Sequence, residues 1–181
     1  MAQWNFDLVH SSVNFTARHL VISKVRGRFT QWGGTLEFDE AHPEQARLEV
    51  RIQTASVDTN DPQRDAHLRS ADFLDVEKYP EMVFHSRGVT VESKDRFRVQ
   101  GELTLHGVTR PLALEMVEYA GHTADPWGGE RAGFSASVSL SRKEFGLTFN
   151  PALETGGAVV GDRIEIALEI EAVAAKAQAA S

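Results

Sequence analysis

Three ionisable residues fall within four positions of the one segment that has a helical pattern: Arg64, Asp65 and His67. Residues i and i+3 share a helix face, so Arg64 and His67 would point the same way while Asp65 points elsewhere. A histidine with a carboxylate partner could act as a general acid or base inside a pocket that excludes water. Arg64 and Asp65 could instead pair with groups at strand ends and clamp the helix over the mouth of the fold. The residues favour the clamp, which at an opening could also orient a ligand's polar head.

Other catalytic and metal-binding patterns are absent from the sequence. The seven histidines form neither HxH nor HxxxH, and there is no cysteine, so a zinc site would have to be assembled from distant segments. There is no GxSxG motif, and no glycine-rich loop leads from a strand into a helix. The sequence therefore predicts no metal and no cofactor.

Composition and charge exclude several classes of partner. The chain has 181 residues, of which 41% are hydrophobic and 25% charged, as expected for one globular domain. Its formal net charge of −7 argues against a general affinity for nucleic acid or for an anionic membrane. No stretch reaches the roughly 18–20 apolar residues of a membrane span. The chain begins with a strand pattern instead of a signal peptide, so we expect a cytoplasmic protein, or a periplasmic one if a signal has been removed.

Apolar and polar residues alternate along most of the chain, as they do in strands with one buried face. The clearest runs are QWNFDLVH (3–10), RLEVRIQT (47–54), RFRVQGELTLHG (96–107), FSASVSLS (134–141) and RIEIALEIEA (163–172). Parallel strands would be apolar on both faces, so the pattern predicts an antiparallel sheet of about eight to ten strands. Such a sheet forms either a sandwich or a barrel, and periodicity does not distinguish them.

The apolar faces mix small residues with phenylalanines. Ser86, Gly101 and Ala136 lie in register with Phe84, Phe97 and Phe134. This mixture is compatible with a tapering packed core and equally with an internal cavity.

One short helix is predicted near residues 61–72. Asp61 is a good N-cap, Pro62 suits the first helical position, and Ser70 could cap a second turn. Pro80 returns the chain to extended geometry. Such a helix is long enough to cover one end of a barrel. We expect a single domain over residues 1–173 and a flexible, alanine-rich tail over residues 174–181.

Several motifs follow one another in the order found in a known family. They are W-x-F-D-x-x-H-S (4–11), F-x-A-R-H (15–19), G-R-F (27–29), S-V-D-T-N (56–60), R-D-x-H-L-R-S-x-D-F-L-D (64–75), Y-P-E-M-V-F-H-S (79–86), G-E-L-T-L-H-G-V-T-R-P-L (101–112), S-R-K-E-F-G-L (141–147) and V-G-D-R-I-E-I (160–166). Over nearly its whole length the chain resembles the YceI-like family of polyisoprenoid-binding proteins. The block that begins at residue 64 is the most specific part of the match.

The resemblance implies an all-β, lipocalin-like antiparallel barrel of about eight strands. The barrel interior would bind, store or carry a long isoprenoid lipid, such as a prenyl phosphate or a quinone, without catalysis. Many members of the family are exported, and from the strand pattern of its first residues we expect this protein to differ from them by lacking a signal peptide. An exposed edge strand would also permit a homodimer.

The predicted ligand-binding residues form two groups. Those for the apolar wall are Phe15, Phe29, Leu68, Phe73, Phe84 and Phe134, and for the phenylalanines an ordinary core role is about as well supported. Those for a polar head group are His19, Arg64 and His67. The alternative function is a hydrolase or isomerase of apolar substrates that uses His67 with Asp65 or His19.

Overall fold

The alternating segments form eleven strands of one antiparallel sheet in a computed structural model, which describes residues 1–151 and 159–175. The strands are β1 (Ala2–Phe6), β2 (Ser12–His19), β3 (Ser23–Phe29), β4 (Trp32–Phe38), β5 (Arg47–Gln53), β6 (Val57–Asp58), β7 (Glu81–Ser93), β8 (Arg96–Leu105), β9 (Val108–Ala124), β10 (Glu130–Ser141) and β11 (Val160–Ala174). One helix, α1 (Pro62–Arg69), lies between β6 and β7. Short 3₁₀ turns occur at Pro43–Gln45, Thr54–Ser56 and Arg142–Phe145.

The sheet closes on itself through β1, which pairs with β4 on one side and β11 on the other. Strands β1 and β2 follow one another along β11, and β3 pairs with β2 as β4 pairs with β1. Strands β1 and β2 therefore act together as one interrupted strand, and so do β3 and β4. Counted in this way, the ring has eight strands. The predicted all-β antiparallel barrel is confirmed. A homodimer through an edge strand stays a prediction.

Helix α1 begins where its capping signals predicted. The Asp61 carboxylate accepts hydrogen bonds from the backbone N–H groups of Gln63 and Arg64, both at 3.1 Å, and Pro62 occupies the first turn. These bonds satisfy N–H groups that have no partner within the helix. The helix ends at Arg69, and the Ser70 carbonyl then accepts the N–H groups of Phe73 and Asp75. The turn after α1 therefore lies, with the helix, over the same end of the barrel.

The two ends of the barrel differ. The β2–β3 and β8–β9 hairpins and α1 lie at one end, which we call the helix end. At the opposite, far end, Phe38, Phe97, Tyr119 and Phe134 pack together with ring centroids 5.2–6.0 Å apart. Phe38, Phe97 and Tyr119 are buried and Phe134 is partly buried, so these rings pack the far end and an opening for a ligand is expected at the helix end.

The last strand reaches the end of the predicted domain. Strand β11 continues through Ala174, and the Ala175 N–H donates to the Gln3 carbonyl at 2.8 Å. Residues 176–181 of the predicted tail lie outside the described residues, so the tail and the single-domain boundary stay predictions. Within the described ranges, no helix has the length and apolar character needed to cross a membrane.

Candidate functional site

The barrel encloses a cavity of about 300 Å³. Its wall comes from the inward faces of most strands and is almost entirely apolar; Ile52, Val99, Leu114, Ala136 and Ile166 are among its residues. The six predicted wall residues all line it: Phe15, Phe29, Leu68, Phe73, Phe84 and Phe134. The mixture of small and large apolar residues therefore leaves internal room in addition to a packed core.

Glycine lets one of the wall phenylalanines lie flat against the sheet. Gly27 of β3 is the cross-strand partner of Phe15 on β2. A Cβ atom on Gly27 would come within 2.3 Å of Phe15 Cζ and 2.9 Å of Thr59 Cγ2. The Phe15 ring packs against Phe29 with centroids 5.5 Å apart. The absence of a side chain at residue 27 thus leaves the space that the Phe15 ring occupies.

An aromatic rim separates the cavity from solvent at the helix end. It consists of His67, Phe73 and Phe149, whose ring centroids lie 5.0–5.2 Å apart in edge-to-face contacts. Phe73 lines the cavity, whereas the His67 side chain is about half exposed and lies 2.9 Å from Asp72 through Nε2 and Oδ2. The rim joins α1 to the chain after β10, and all three of its residues lie outside the strands of the barrel.

Arg64 and Asp65 fasten α1 to the chain after β6. The buried Asp65 carboxylate accepts hydrogen bonds from the Thr59 N–H at 2.9 Å and the Thr59 hydroxyl at 2.5 Å. Arg64 donates from Nε to the Thr59 hydroxyl and from Nη2 to the Thr59 carbonyl, each at 2.8 Å. Arg69 adds bonds to the carbonyls of Ala55 and Val57. The geometry matches the predicted clamp.

The predicted polar residues do not meet at a common point. His19 ends β2 opposite Ser23, and neither it nor Arg64 or His67 lines the cavity. His67 pairs with Asp72 while Asp65 bonds to Thr59. Among the described residues, the His67–Asp65 contact, one of the two pairings that the enzymatic alternative offered, is therefore not formed. Head-group contacts by His19, Arg64 and His67 stay predictions.

A buried arginine at the helix end was not among the predicted site residues. Arg142 is 3% exposed and lines the cavity, which is otherwise almost wholly apolar. Its guanidinium donates to four carbonyl oxygens, those of Leu147 (2.6 Å), Phe149 (2.9 Å), Val160 (3.1 Å) and Gly161 (2.9 Å). Burial lowers the pKa of Arg142. The residue ties the aromatic rim to the start of β11.

The sequence contained a signal for Arg142. It is the arginine of the S-R-K-E-F-G-L motif, which contributed to the family resemblance without suggesting a role. The motif places it in the 3₁₀ turn that ends β10, with Gly146 in the left-handed conformation at φ 77°. That turn directs the side chain back toward the carbonyls that it contacts.

A second charged cluster lies on the barrel wall. Asp7, His10 and Glu171 come close enough to ligate a metal ion, but a protein cation already bridges two of them. The Arg131 guanidinium donates to Asp7 at 2.6 Å, to Glu171, and to Asp125 at 3.2 Å. Hydrogen bonds from His10 and Arg131 hold the pKa of Asp7 well below its usual range. The cluster joins the chain between β1 and β2 to β10 and β11.

Comparison with known proteins places these features in a family. A family model described as "YceI-like domain" matches residues 4–172. Protein YceI of Salmonella newport is 41% identical over 167 residues, which cover 92% of this chain and 83% of that protein. A UPF0312 protein of Azotobacter vinelandii is 44% identical over 138 residues, or 76% of this chain and 71% of that protein.

Solved structures show the same barrel. The YCEI protein of Campylobacter jejuni superposes with a TM-score of 0.74 at 31% identity, covering 86% of this chain and 88% of that one. Burkholderia cenocepacia BcnA gives a TM-score of 0.80 at 21% identity, covering 92% and 98%. A polyisoprenoid binding domain from Saccharophagus degradans, implicated in plant cell wall breakdown, gives 0.70 at 14% identity, covering 97% and 100%. At 21% and 14% identity, the Burkholderia and Saccharophagus structures show a shared fold only.

Proposed function

This chain belongs to the YceI-like family, and from that premise we propose that it binds a long isoprenoid lipid inside its barrel and catalyses no reaction. The observation that carries the proposal is the apolar cavity, which extends from the aromatic far end to the helix end. The Saccharophagus degradans neighbour, which is a polyisoprenoid binding domain, adds support from a protein of the same fold.

The chemistry of the wall suits a ligand that is apolar along its length. A wall with so few polar groups offers little to orient a sugar, a nucleotide or a peptide, but it can bury hydrocarbon anywhere along the barrel. Each buried CH₂-sized group contributes roughly 0.8 kcal/mol, so four five-carbon units give about 16 kcal/mol before costs. Association and ordering cost about 4–15 kcal/mol. Burial of an isoprenoid chain is therefore sufficient for useful affinity.

The head group of the lipid would lie at the helix end. The four packed rings of the far end all lie on strands of the barrel, whereas the rim residues His67, Phe73 and Phe149 lie outside the strands, which favours entry at the helix end. Arg142 places a positive charge on the cavity wall behind this rim. A prenyl phosphate or a quinone would accordingly enter tail first and keep its polar end near α1.

Solvent extraction tests the proposal directly. Purified protein is extracted with organic solvent, the extract is analysed by mass spectrometry, and the delipidated protein is titrated with a fluorescent prenyl probe. We expect an isoprenoid in the extract and saturable binding of the probe. If careful extraction yields no such lipid and the probe fails to saturate, the barrel does not carry isoprenoids.

A further inference from the structure

The hairpin between β2 and β3 ends in three exposed apolar residues, which we call the apolar tip: Leu20, Val21 and Ile22. Val21 is 73% exposed and Ile22 is 87% exposed. Large side chains at this level of exposure lower solubility without adding to the core, and three in succession are unusual on a protein surface. The apolar tip therefore requires an explanation outside the fold.

Turn geometry does not provide that explanation. Leu20 and Val21 both have positive φ, at 52° and 65°, in the left-handed region where hairpin turns favour asparagine and glycine. A β-branched residue such as Val21 is an outlier there. An Asn-Gly pair at these positions would ease the backbone and improve solubility. Local departures from such preferences are concentrated at functional sites.

Positive charges flank the apolar tip. Residues 8–36 contain four cations, Arg18, Lys24, Arg26 and Arg28, and no acidic residue, although the chain as a whole carries −7. The rest of the chain therefore carries −11. Arg18 and Lys24 are direct cross-strand partners beside the tip, an arrangement of like charges that weakens a hairpin in water. Arg28 pairs with Asp58, but no described carboxylate lies within ion-pair distance of Arg18, Lys24 or Arg26.

The apolar tip lies at the end of the barrel where the proposed lipid would enter. It projects from the helix end, the end covered by α1 and the aromatic rim. We infer that the apolar tip docks on the surface of an anionic bilayer, with Val21 and Ile22 in the interfacial region and the flanking cations near lipid phosphates. Docking would bring the opening of the barrel to the membrane. The inference goes beyond the proposed ligand, because it concerns the surface that supplies or receives the lipid.

Vesicle binding measures this contact without any isoprenoid. Delipidated protein is sedimented with phosphatidylcholine vesicles that contain or lack phosphatidylglycerol. We expect partitioning onto the phosphatidylglycerol vesicles, which weakens as salt shortens the reach of the charges. The variant Leu20→Asn, Val21→Gly, Ile22→Thr should lower the partition coefficient at least about tenfold, because it removes the apolar side chains. Its turn residues favour the hairpin, so a thermal melt should show an intact fold.

A matched control exists at the opposite end of the barrel. Trp127 lies between β9 and β10 and is 81% exposed, so Trp127→Ser removes a comparable apolar side chain from the far end. It should leave partitioning unchanged. The inference is overturned if the wild-type protein does not bind phosphatidylglycerol vesicles, if the tip variant binds them as well as wild type does, or if neutral vesicles bind equally. Failure of the lipid extraction would leave vesicle binding unaffected, so the two proposals fail separately.

Discussion

Gly101 of β8 lies directly against the ring of Phe84 on β7. A Cβ atom on Gly101 would come within 2.4 Å of Phe84 Cζ and 2.5 Å of the His85 carbonyl oxygen. Because the second contact is to backbone, rotation of the ring cannot relieve it. The glycine thus permits an aromatic wall residue to lie close to the sheet.

Gly101→Ala should therefore destabilise the barrel by about 1–3 kcal/mol, the usual cost of overpacking. Urea unfolding measures the change, and the prenyl probe should bind less because the displaced ring projects into the cavity. Gly33→Ala on β4 is the control, since a Cβ atom there meets nothing within 4 Å. Equal stability of the two variants would mean that the Gly101–Phe84 contact is not constrained.

Replacement of Arg142 tests how much this buried arginine contributes to the stability of the fold. Arg142→Met leaves the carbonyls of Leu147, Phe149, Val160 and Gly161 without their donor. We expect a loss of about 3–5 kcal/mol in the free energy of unfolding. Arg142→Lys should recover part of it, because one ammonium group cannot reach all four oxygens.

An exposed arginine provides the comparison for Arg142. Arg87 pairs with Glu102 at 2.6 Å, and its side chain is 65% exposed. Arg87→Met should change stability by less than about 1 kcal/mol. Similar losses for Arg142→Met and Arg87→Met in chemical unfolding would contradict a buried structural role for Arg142.

The ion-pair network around Asp7 makes the stability of the folded protein depend on pH in the acidic range. His10 and Arg131 depress the pKa of Asp7 in the folded protein, so the unfolded chain binds the proton more tightly. The resulting stability is present above the unfolded pKa of 3.8 and is lost as pH falls toward the lower folded value. Asp7→Asn should therefore lose less stability than wild type between about pH 4 and pH 2. Calorimetric melting at several pH values checks this, and an unchanged acid dependence would rule out Asp7 as its source.

Local signals in the sequence predicted much of this structure. Alternation located strands such as β5, β8, β10 and β11, although it did not identify β3, and the Asp61–Pro62 cap located α1 within a few residues. Inward phenylalanines such as Phe15 and Phe84 could be identified because their side-chain direction follows from strand periodicity. Each of these inferences depends on residues that are close in the chain.

The remaining features depend on residues far apart in sequence. Closure requires β1 to pair with β11, which lies more than 150 positions away, and no local pattern specifies that register. The role of Arg142 depends on carbonyls that fold back from as far as Gly161, and a backbone carbonyl carries no residue-specific signal. Leu20 and Val21 adopt positive φ, a backbone conformation that hairpin turns usually give to asparagine or glycine. Residue preferences alone therefore could not predict the backbone geometry of the apolar tip.

Filling the cavity should abolish binding without unfolding the barrel. Ala136 on β10 lines the cavity, while the next residue, Ser137, lies on the outer face of the same strand. Ala136→Phe should reduce binding of the prenyl probe at least about tenfold, because the ring occupies space needed by the chain. Ser137→Phe is the control and should bind normally. If both variants take up the probe like wild type, the ligand does not lie inside the barrel.

His67→Gln separates binding from catalysis. His67 contacts Phe73 and Phe149 at the rim and does not line the cavity, so uptake of the prenyl probe should stay within about twofold of wild type. A larger loss of uptake would instead support the predicted head-group contact of His67. Loss of the half-exposed pair with Asp72 should cost less than about 1 kcal/mol of stability. Asp65→Asn should cost more, about 1–3 kcal/mol of stability, because the buried Asp65 carboxylate accepts hydrogen bonds from Thr59.

The enzymatic alternative predicts a different result for His67→Gln. Wild type would hydrolyse or isomerise an apolar prenyl substrate, and His67→Gln would abolish that turnover while uptake remained.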